Sequence, residues 1–577
     1  MIFNKELFVV IFLTCSIISL ISLILSIAHV SIYQYPPDAF YYFNSLPPLY
    51  WVGFSLTLVN IFLLLQRSQP LKIQLCIILL LAMYIYGVPN LIHEYPRYMD
   101  IYDHGADLSI LIKIGYIPHN NSYAEEYPAL FILTTVLFNI MSINIETPFT
   151  FFRLFNICSL LFIITLIYIF ALKALYKSSY IYKHFAIITP FAFMALNWTH
   201  IGHFAPHTHS FIMYLSFFIS LINVVSNDKI WRKEWIVSGL ILLLVINITN
   251  PTNATMLLLN ILFMVLISFF YNLNLYKNVL SKRLFLLCIV LFIIFVGWLS
   301  FNGENVALFN AKRYINEFRE RVGDLNKLQL PMAPNESFSL ASKIRIVQTA
   351  FVVIMLISLS FLLIKQRVFS NEILILFSLV TSLILIIFVM FASDVLLTRM
   401  HVYLTIPFAI ISSYIVAKRL PTNMRLLFMI IITIWFYITH ITLYASDPHT
   451  YLTASLLYVQ KILNEHFPQH GTMYAYSVAN FGSFYYDSID LQDNLKHIQY
   501  AERYQDKYRV SNDINDISAR FVQDKINFIL FSEVDNNRLI MRNNDSEFYT
   551  ILKTNLDEKH FNRLFDVSSN TIFLLGN

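Results

Sequence analysis

Long apolar runs separated by short polar breaks dominate the chain. They predict helices near 8–28, 50–66, 71–88, 151–172, 184–199, 207–226, 236–250, 254–272, 284–301, 346–364, 372–392, 402–417 and 426–444. A helix needs about 20 apolar residues to cross the ~30 Å hydrocarbon core. The pattern therefore predicts an α-helical polytopic membrane protein with about 13 transmembrane helices. A further apolar piece covers 128–145. The first run ends in "SIAHVS", which has the small-x-small look of a signal-peptidase site. Its length and the many spans after it favour an uncleaved first helix.

Polar positions then set the topology. The short basic breaks hold Lys5; Arg67 and Lys72; Lys173, Lys177 and Lys183; Lys229, Arg232 and Lys233; Lys277, Lys282 and Arg283; Lys365 and Arg367; and Lys418, Arg419 and Arg425. Such loops face the cytoplasm. Alternating the predicted spans puts all of them inside if 128–145 makes no net crossing, as a half-helix or re-entrant piece would. Otherwise 128–145 crosses and one of the other segments does not. On the first reading the outer side holds 29–49, 89–127, 200–206, 251–253, 302–344, 393–401 and everything from 445. The expectation is a multi-pass plasma-membrane protein with a cytoplasmic N-terminus.

The hydrophobic pattern changes after residue 444, dividing a membrane domain, 1–444, from a tail, 445–577. In the tail "YLTASLLYVQKILNEHF" reads as an amphipathic helix. "GTMYAYSV" and "KINFILFSEVD" read as strands, and "FNRLFDVSSNTIFLL" as a hairpin turning at Ser568-Ser569-Asn570. This predicts a small soluble extracytoplasmic α/β domain.

Composition adds limits. Of 577 residues 57% are apolar and 13% charged, with mean hydropathy +0.61. Soluble domains are nearer 25% charged. The net charge of +5 is small for this length and leaves no nucleic-acid footprint. Cys15, Cys76, Cys158 and Cys288 all lie in apolar segments, with neither a disulfide framework nor a zinc-ligand spacing.

The chemistry gathers on the predicted outer side. The loop 89–127 carries Glu94, Asp100, Asp103, Asp107, Glu125 and Glu126 against Arg97 and Lys113. A helix over 99–114 places Asp100, Asp103, His104 and Asp107 on one face, with Ile101, Leu108 and Ile112 on the other. Such a helix lies flat on the membrane, apolar side down. Gly105 inside it points to close packing or a break. Its carboxylates serve as a general base, hold a divalent ion such as Mg2+ or Mn2+, or simply face water.

"THIGHFAPHTHS" gathers His200, His203, His207 and His209 around a turn at Pro206, for metal, for substrate oxygen or as interfacial histidines. In "NITNPTNAT", Asn250 and Asn253 fit helix-end capping better than a site. Leu308, Ile315 and Val322 repeat at heptad spacing in 302–344, predicting a basic amphipathic helix with Lys312, Arg313, Arg319, Arg321 and Lys327. That helix is a lid over a lipid phosphate or a surface helix held by anionic headgroups. Asp394, Arg399 and His401 lie between two late spans, where an arginine suits phosphate. Arg153 repeats that argument and faces either side, depending on 128–145.

Taken in order, "YMDIYDHGA…LIKIGYIP", "EEYPALFILTTVLFNIMSI" and "FFRLFNI", then "GHFAPHTHSFIMYLSFFISL" and "RMHVYLTIPFAI", resemble the GT-C superfamily of integral-membrane glycosyltransferases. The archaeal-type and mannosyltransferase-like members are the most similar, and the resemblance covers roughly 71–444. The chain has His207 where related segments often carry Gln. The resemblance implies a polyprenyl-phosphate-linked sugar donor, a glycan, protein or lipid acceptor, surrounding membrane lipids, and inverting transfer at the outer face. It implies Asp103 or Asp100 as the catalytic base or metal ligand and Arg399 near the donor phosphate, and by charge and position Arg313 and Arg153 are further candidates for that phosphate. His104, His203, His207 and Tyr127 of the "YP" segment are the expected substrate contacts. A transporter or flippase, or a polymerase acting on the same lipid-linked glycans, is the alternative.

Overall fold

The computed structural model describes residues 5–30, 41–67, 69–93, 96–97, 99–116, 123–143, 149–175, 180–199, 201–226, 233–270, 279–301, 312, 340–365 and 394–444, and 473–475, 528–531, 561–567 and 570–575 of the tail. The regular structure of the membrane domain among these residues is all helical. Its helices are α1 (Lys5–His29), α2 (Pro48–Gln66), α3 (Leu71–Ile92), α4 (Met99–Ile114), α5 (Ala129–Met141), α6 (Phe149–Leu175), α7 (Ile188–Leu196), α8 (Pro206–Ser226), α9 (Lys233–Asn247), α10 (Pro251–Phe270), α11 (Val279–Phe301), α12 (Leu340–Lys365), α13 (Asp394–Lys418) and α14 (Thr422–Tyr444). Among the described residues, six helices are long and apolar enough to cross a membrane: α1, α2, α3, α6, α13 and α14. The predicted span at 372–392, most of the 302–344 loop with Arg313, and the tail helix all lie outside the described residues.

Small residues let α1 and α2 meet closely. A Cβ on Gly53 would fall 1.9 Å from the Tyr84 hydroxyl and 2.6 Å from Ser22 Cβ. Ser19 donates to Gly53 O at 2.8 Å, pairs with the Thr57 hydroxyl, and its carbonyl accepts from Tyr84 at 2.5 Å. This is the small-residue packing with hydroxyl bonds expected where lipid supplies no hydrophobic drive between helices. α3 is interrupted by a π-helical turn, Met83–Gly87. The shifted ladder is re-satisfied by two tyrosines: Tyr50 donates to Tyr84 O at 2.7 Å, and Tyr444 donates to Ile85 O.

Side-chain contacts sort the bundle into two ends. At one end Arg67 lies over the Phe8 ring, Tyr168 donates to Gln74, and Ser413 donates to Phe185 O. Arg425 reaches Leu420 O and Ala417 O there, capping the last carbonyls of α13. The other end gathers the close of α3, α7, α9, α11 and α14 and the start of α6, α8, α10, α12 and α13, through the bonds described below.

This sorting decides the segment 128–145. α3 finishes and α6 begins at the same end, so the chain between them makes no net crossing. α5, its helical part, has 13 residues and a rise of about 20 Å. Both its ends stay at that level: Ala129 N–H donates to Ile248 O beyond α9, and the Phe138 ring meets Phe151 in the first turn of α6. Ile132, Leu133, Val136 and Ile140 are exposed on its outward side, as a lipid-facing surface requires.

In the tail, β1 (Met473–Ala475), β2 (Phe528–Phe531), β3 (Phe561–Val567) and β4 (Asn570–Leu575) form one sheet in the order β1-β2-β4-β3. β1 and β2 are parallel, with Met473 opposite Phe528; the other pairs are antiparallel. The strands fall where alternation in the sequence places them, and β3 and β4 form the predicted hairpin, with Val567 opposite Asn570.

Candidate functional site

The acidic segment folds as its pattern dictates. α4 covers Met99–Ile114 and carries Asp100 and Asp103 one turn apart. Ile101 and Leu108 are buried, Ile112 is half-buried, and Gly105 lies buried between them. α4 packs on α5, where the half-buried His104 sits 5.8 Å from the Phe131 ring. Asp107 is half-buried, and Glu126 and Tyr127 just before α5 are buried. The Glu126 carbonyl accepts from Trp298 Nε1 of α11 at 3.2 Å.

Two arginines hold the approach to α4. Arg97 is 1% exposed, and its guanidinium lies 4.3 Å from the centre of the Tyr444 ring, a desolvated cation–π contact at the end of α14. Tyr42 closes on the same ring, with centroids 4.2 Å apart. Arg153 lies at this end of the bundle, and its Nη1 donates to His93 O at 2.6 Å. His93 is pushed well below its ordinary 6.5, first by burial and then by the charges of Arg97 and Arg153. The folded protein therefore holds it neutral, while an unfolded chain takes up a proton below about 6.5. Stability is complete above that pH and is lost as the pH falls. The thermal midpoint in detergent is expected to drop between about pH 7 and pH 5, with a flatter slope in His93→Gln; an equal slope in the variant would refute this.

Asn156, in the second turn of α6, joins the end of α3 to the histidine turn. Its Nδ2 donates to Asn90 Oδ1 at 3.1 Å, near the end of α3, and its Oδ1 accepts from Phe204 N–H at 3.0 Å. Gly202 lets that turn sit on α6, since a Cβ there would lie 2.0 Å from Leu160 Cγ. His203 and His207 follow, both half-buried, and His209 is buried. Asn253 Nδ2 meets His207 O at 3.1 Å and His207 Nδ1 at 3.2 Å, and Tyr403 donates to Asn253 Oδ1.

The two asparagines of "NITNPTNAT" thus take different roles. Asn250 Oδ1 accepts from Asn253 N–H at 3.1 Å and caps α10 ahead of Pro251, as expected of a helix end. Asn253 is spent on His207 instead. Arg399 precedes Tyr403 by one turn of α13, which puts it nearer the start of the helix that carries this contact.

The apolar pattern places 393–401 in a loop; the helix instead starts at Asp394, so Arg399 and His401 are helical. His401 accepts no substrate role in this geometry. Its Nε2 donates to Leu196 O at 2.8 Å, its Nδ1 accepts from Thr349 at 3.2 Å, and it is buried against Trp198. Arg345 covers Trp198 and donates through Nε to Thr442 O at 3.0 Å, capping α14. Gln348 and Thr439 both reach Ala195 O.

Among the described residues no group of three or more His, Cys, Asp or Glu side chains is placed to hold a metal ion. The side chains of Asp100, Asp103 and Arg399 lie outside the described ones.

No protein-family model matches this chain, and no curated protein matches it. Solved structures do. The archaeal oligosaccharyltransferase AglB from Archaeoglobus fulgidus, in complex with an inhibitory peptide and a dolichol-phosphate, is 10% identical. The match covers 83% of this chain and 72% of that one, with a TM-score of 0.51. ArnT from Cupriavidus metallidurans, in the apo state, is 12% identical over 86% of this chain and 96% of that one, with a TM-score of 0.44. The helical bundle shares its fold with AglB, in line with the resemblance to GT-C glycosyltransferases carried by the order of motifs along the sequence.

Proposed function

We propose that this protein is a membrane glycosyltransferase that moves a sugar from a polyprenyl-phosphate-linked donor to an acceptor hydroxyl at the outer face. The observation that carries the reading is a convergence. At one end of a GT-C-type bundle, Asn156 ties the close of α3, which leads into α4 and its aspartates, to the histidine turn, and Asn253 ties His207 just after that turn to Tyr403 of the helix bearing Arg399. The bound dolichol-phosphate of AglB supports the class of donor. The opposite end carries Arg67, Lys418 and Arg425, which favours the cytoplasm there and the outer face here.

The reaction is written as a single displacement with inversion. Asp103 or Asp100 takes the proton of the acceptor hydroxyl. The acceptor oxygen bonds to the anomeric carbon as the bond from that carbon to the carrier phosphate oxygen breaks, and the carrier leaves as phosphate. Arg399, Arg153 and Arg313 are the groups for the charge that develops on it. His104, His203, His207 and Tyr127 line the same segments and serve the sugar. Mg2+ or Mn2+ on Asp103 and Asp100 would organise the donor. The tail supplies acceptor contacts.

The test is transfer of a labelled sugar from polyprenyl phosphate in sealed vesicles of known orientation. Product formed only when the donor reaches the outer face supports the reading. A lipid-linked glycan crossing the vesicle without loss of its sugar would establish the flippase alternative instead.

A further inference from the structure

We infer that Asn253 and Tyr403 are positioning residues that hold His207 in its Nε2–H tautomer, so that His207 donates a hydrogen bond to an oxygen of the lipid-linked donor and does not ligate a metal through Nε2. The substrate half of this inference rests on the proposed function; the tautomer half rests on geometry alone.

The direction of the bonds between Asn253 and His207 follows from the groups involved. A backbone carbonyl only accepts, so the Asn253 group that faces His207 O must be its Nδ2 amide, at 3.1 Å. The same Nδ2 approaches His207 Nδ1 at 3.2 Å, and an amide nitrogen can only donate. His207 Nδ1 is therefore the acceptor and carries no proton. With Nδ2 so placed, Asn253 Oδ1 on the far side of the amide accepts from the Tyr403 hydroxyl. Asn253 is fully buried and Tyr403 nearly so, so water does not compete for these bonds. A neutral imidazole with a bare Nδ1 keeps its proton on Nε2.

That proton decides the chemistry. A metal ligand needs a lone pair on Nε2, and the second nitrogen of a ligating histidine ordinarily donates to a carboxylate or carbonyl. Here the second nitrogen accepts from an amide, the reverse arrangement. The Nε2–H suits an acceptor oxygen: a phosphate oxygen of the carrier or a hydroxyl of the sugar. The neighbours fit such a ligand. His207 stands in the first turn of α8, a helix of 21 residues whose N-terminus favours oxygen-rich and anionic groups. It is half-buried where its two supports are not exposed, and Phe211 stacks on its ring at 6.4 Å.

The experiment is 15N NMR of histidine-labelled full-length protein in detergent micelles, with the His207 signals assigned by difference from His207→Gln. The expected result near neutral pH is a protonated Nε2 and a bare Nδ1. Asn253→Asp replaces the donating amide with an accepting carboxylate and should move a proton onto Nδ1. Tyr403→Phe should leave a mixture of tautomers. A His207 in the Nδ1–H form in the unaltered protein would overturn the inference.

Two ligand arms follow. Polyprenyl phosphate shifting the Nε2 signal identifies the carrier phosphate as the source of the oxygen. A shift only with the glycosylated carrier identifies the sugar. No shift with either overturns the substrate role while leaving the tautomer standing. His207→Gln keeps a donor nitrogen where Nε2 stood and should retain donor binding, whereas His207→Leu should lose it at least tenfold. Equal loss in both, with recovery of binding on adding Mn2+ to the unaltered, chelator-treated protein, would make His207 a metal ligand. Absence of any sugar transfer by the unaltered protein would refute the proposed function and leave the NMR result untouched.

Discussion

Asp103→Asn is expected to reduce sugar transfer by about 10²–10⁴-fold, the range lost when a positioned general base is removed. The amide keeps the shape of the carboxylate and cannot take the acceptor proton. Asp100→Asn is expected to cost less. The two stand one turn apart on α4, and His104 follows Asp103 directly. His104 is anchored at the Phe131 ring of α5, so this stretch of helix is held against a neighbour and not left as a free acidic loop. The kinetic pattern separates base from metal ligand. Loss of kcat with an unchanged KM for the donor marks the base. A raised KM for the donor that excess Mg2+ or Mn2+ lowers marks a cation site. Full activity in both variants would remove α4 from the chemistry.

The second large effect is expected at Asn156. Asn156→Leu strips a hydrogen bond from Asn90 and one from Phe204 N–H, and both partners are buried. Each stranded group costs about 1–3 kcal/mol. A loss of about 2–6 kcal/mol in all follows, visible as a lower thermal midpoint in detergent. Asn156→Asp keeps the acceptor for Phe204 N–H and should destabilise less. Transfer activity should fall beyond what unfolding explains, because this amide sets the histidine turn against the end of α3. A Leu variant with an unchanged midpoint and unchanged activity would show that the bridge holds nothing in place.

Legibility varied with the kind of signal. Apolar length and basic breaks located the helices of the described membrane domain within a few residues, with the start of α13 at Asp394 the clearest miss. Period-two alternation located the strands, and helical spacing gave the buried face of α4 through Ile101 and Leu108. The motif order carried a resemblance to GT-C glycosyltransferases, and the fold is shared with AglB at an identity of 10%. Asn90 and Asn156 were not legible as site residues. Each is a lone polar residue in an apolar helix, and only an unpaired amide's cost in lipid hints that a partner exists. Tyr403 and Asn253 lie 150 residues apart, and nothing local connects them. Arg345 sat at the edge of a predicted span, where a charge is ordinarily a boundary marker; the structure makes it the cap of α14 and the cover of Trp198.

The sequence by itself determined what local patterns carry: which stretches form apolar helices, which loops are basic, and where the strands of the tail fall. Tertiary structure alone decided what depends on partners distant in the chain. It kept α5 at one end of the bundle, because Ala129 and Phe138 both meet residues at that level. It split Asn250 from Asn253, one to cap a helix and one to orient an imidazole. Hydropathy is a sum over neighbours in sequence, whereas a buried hydrogen bond in a bundle joins whichever helices the packing brings together.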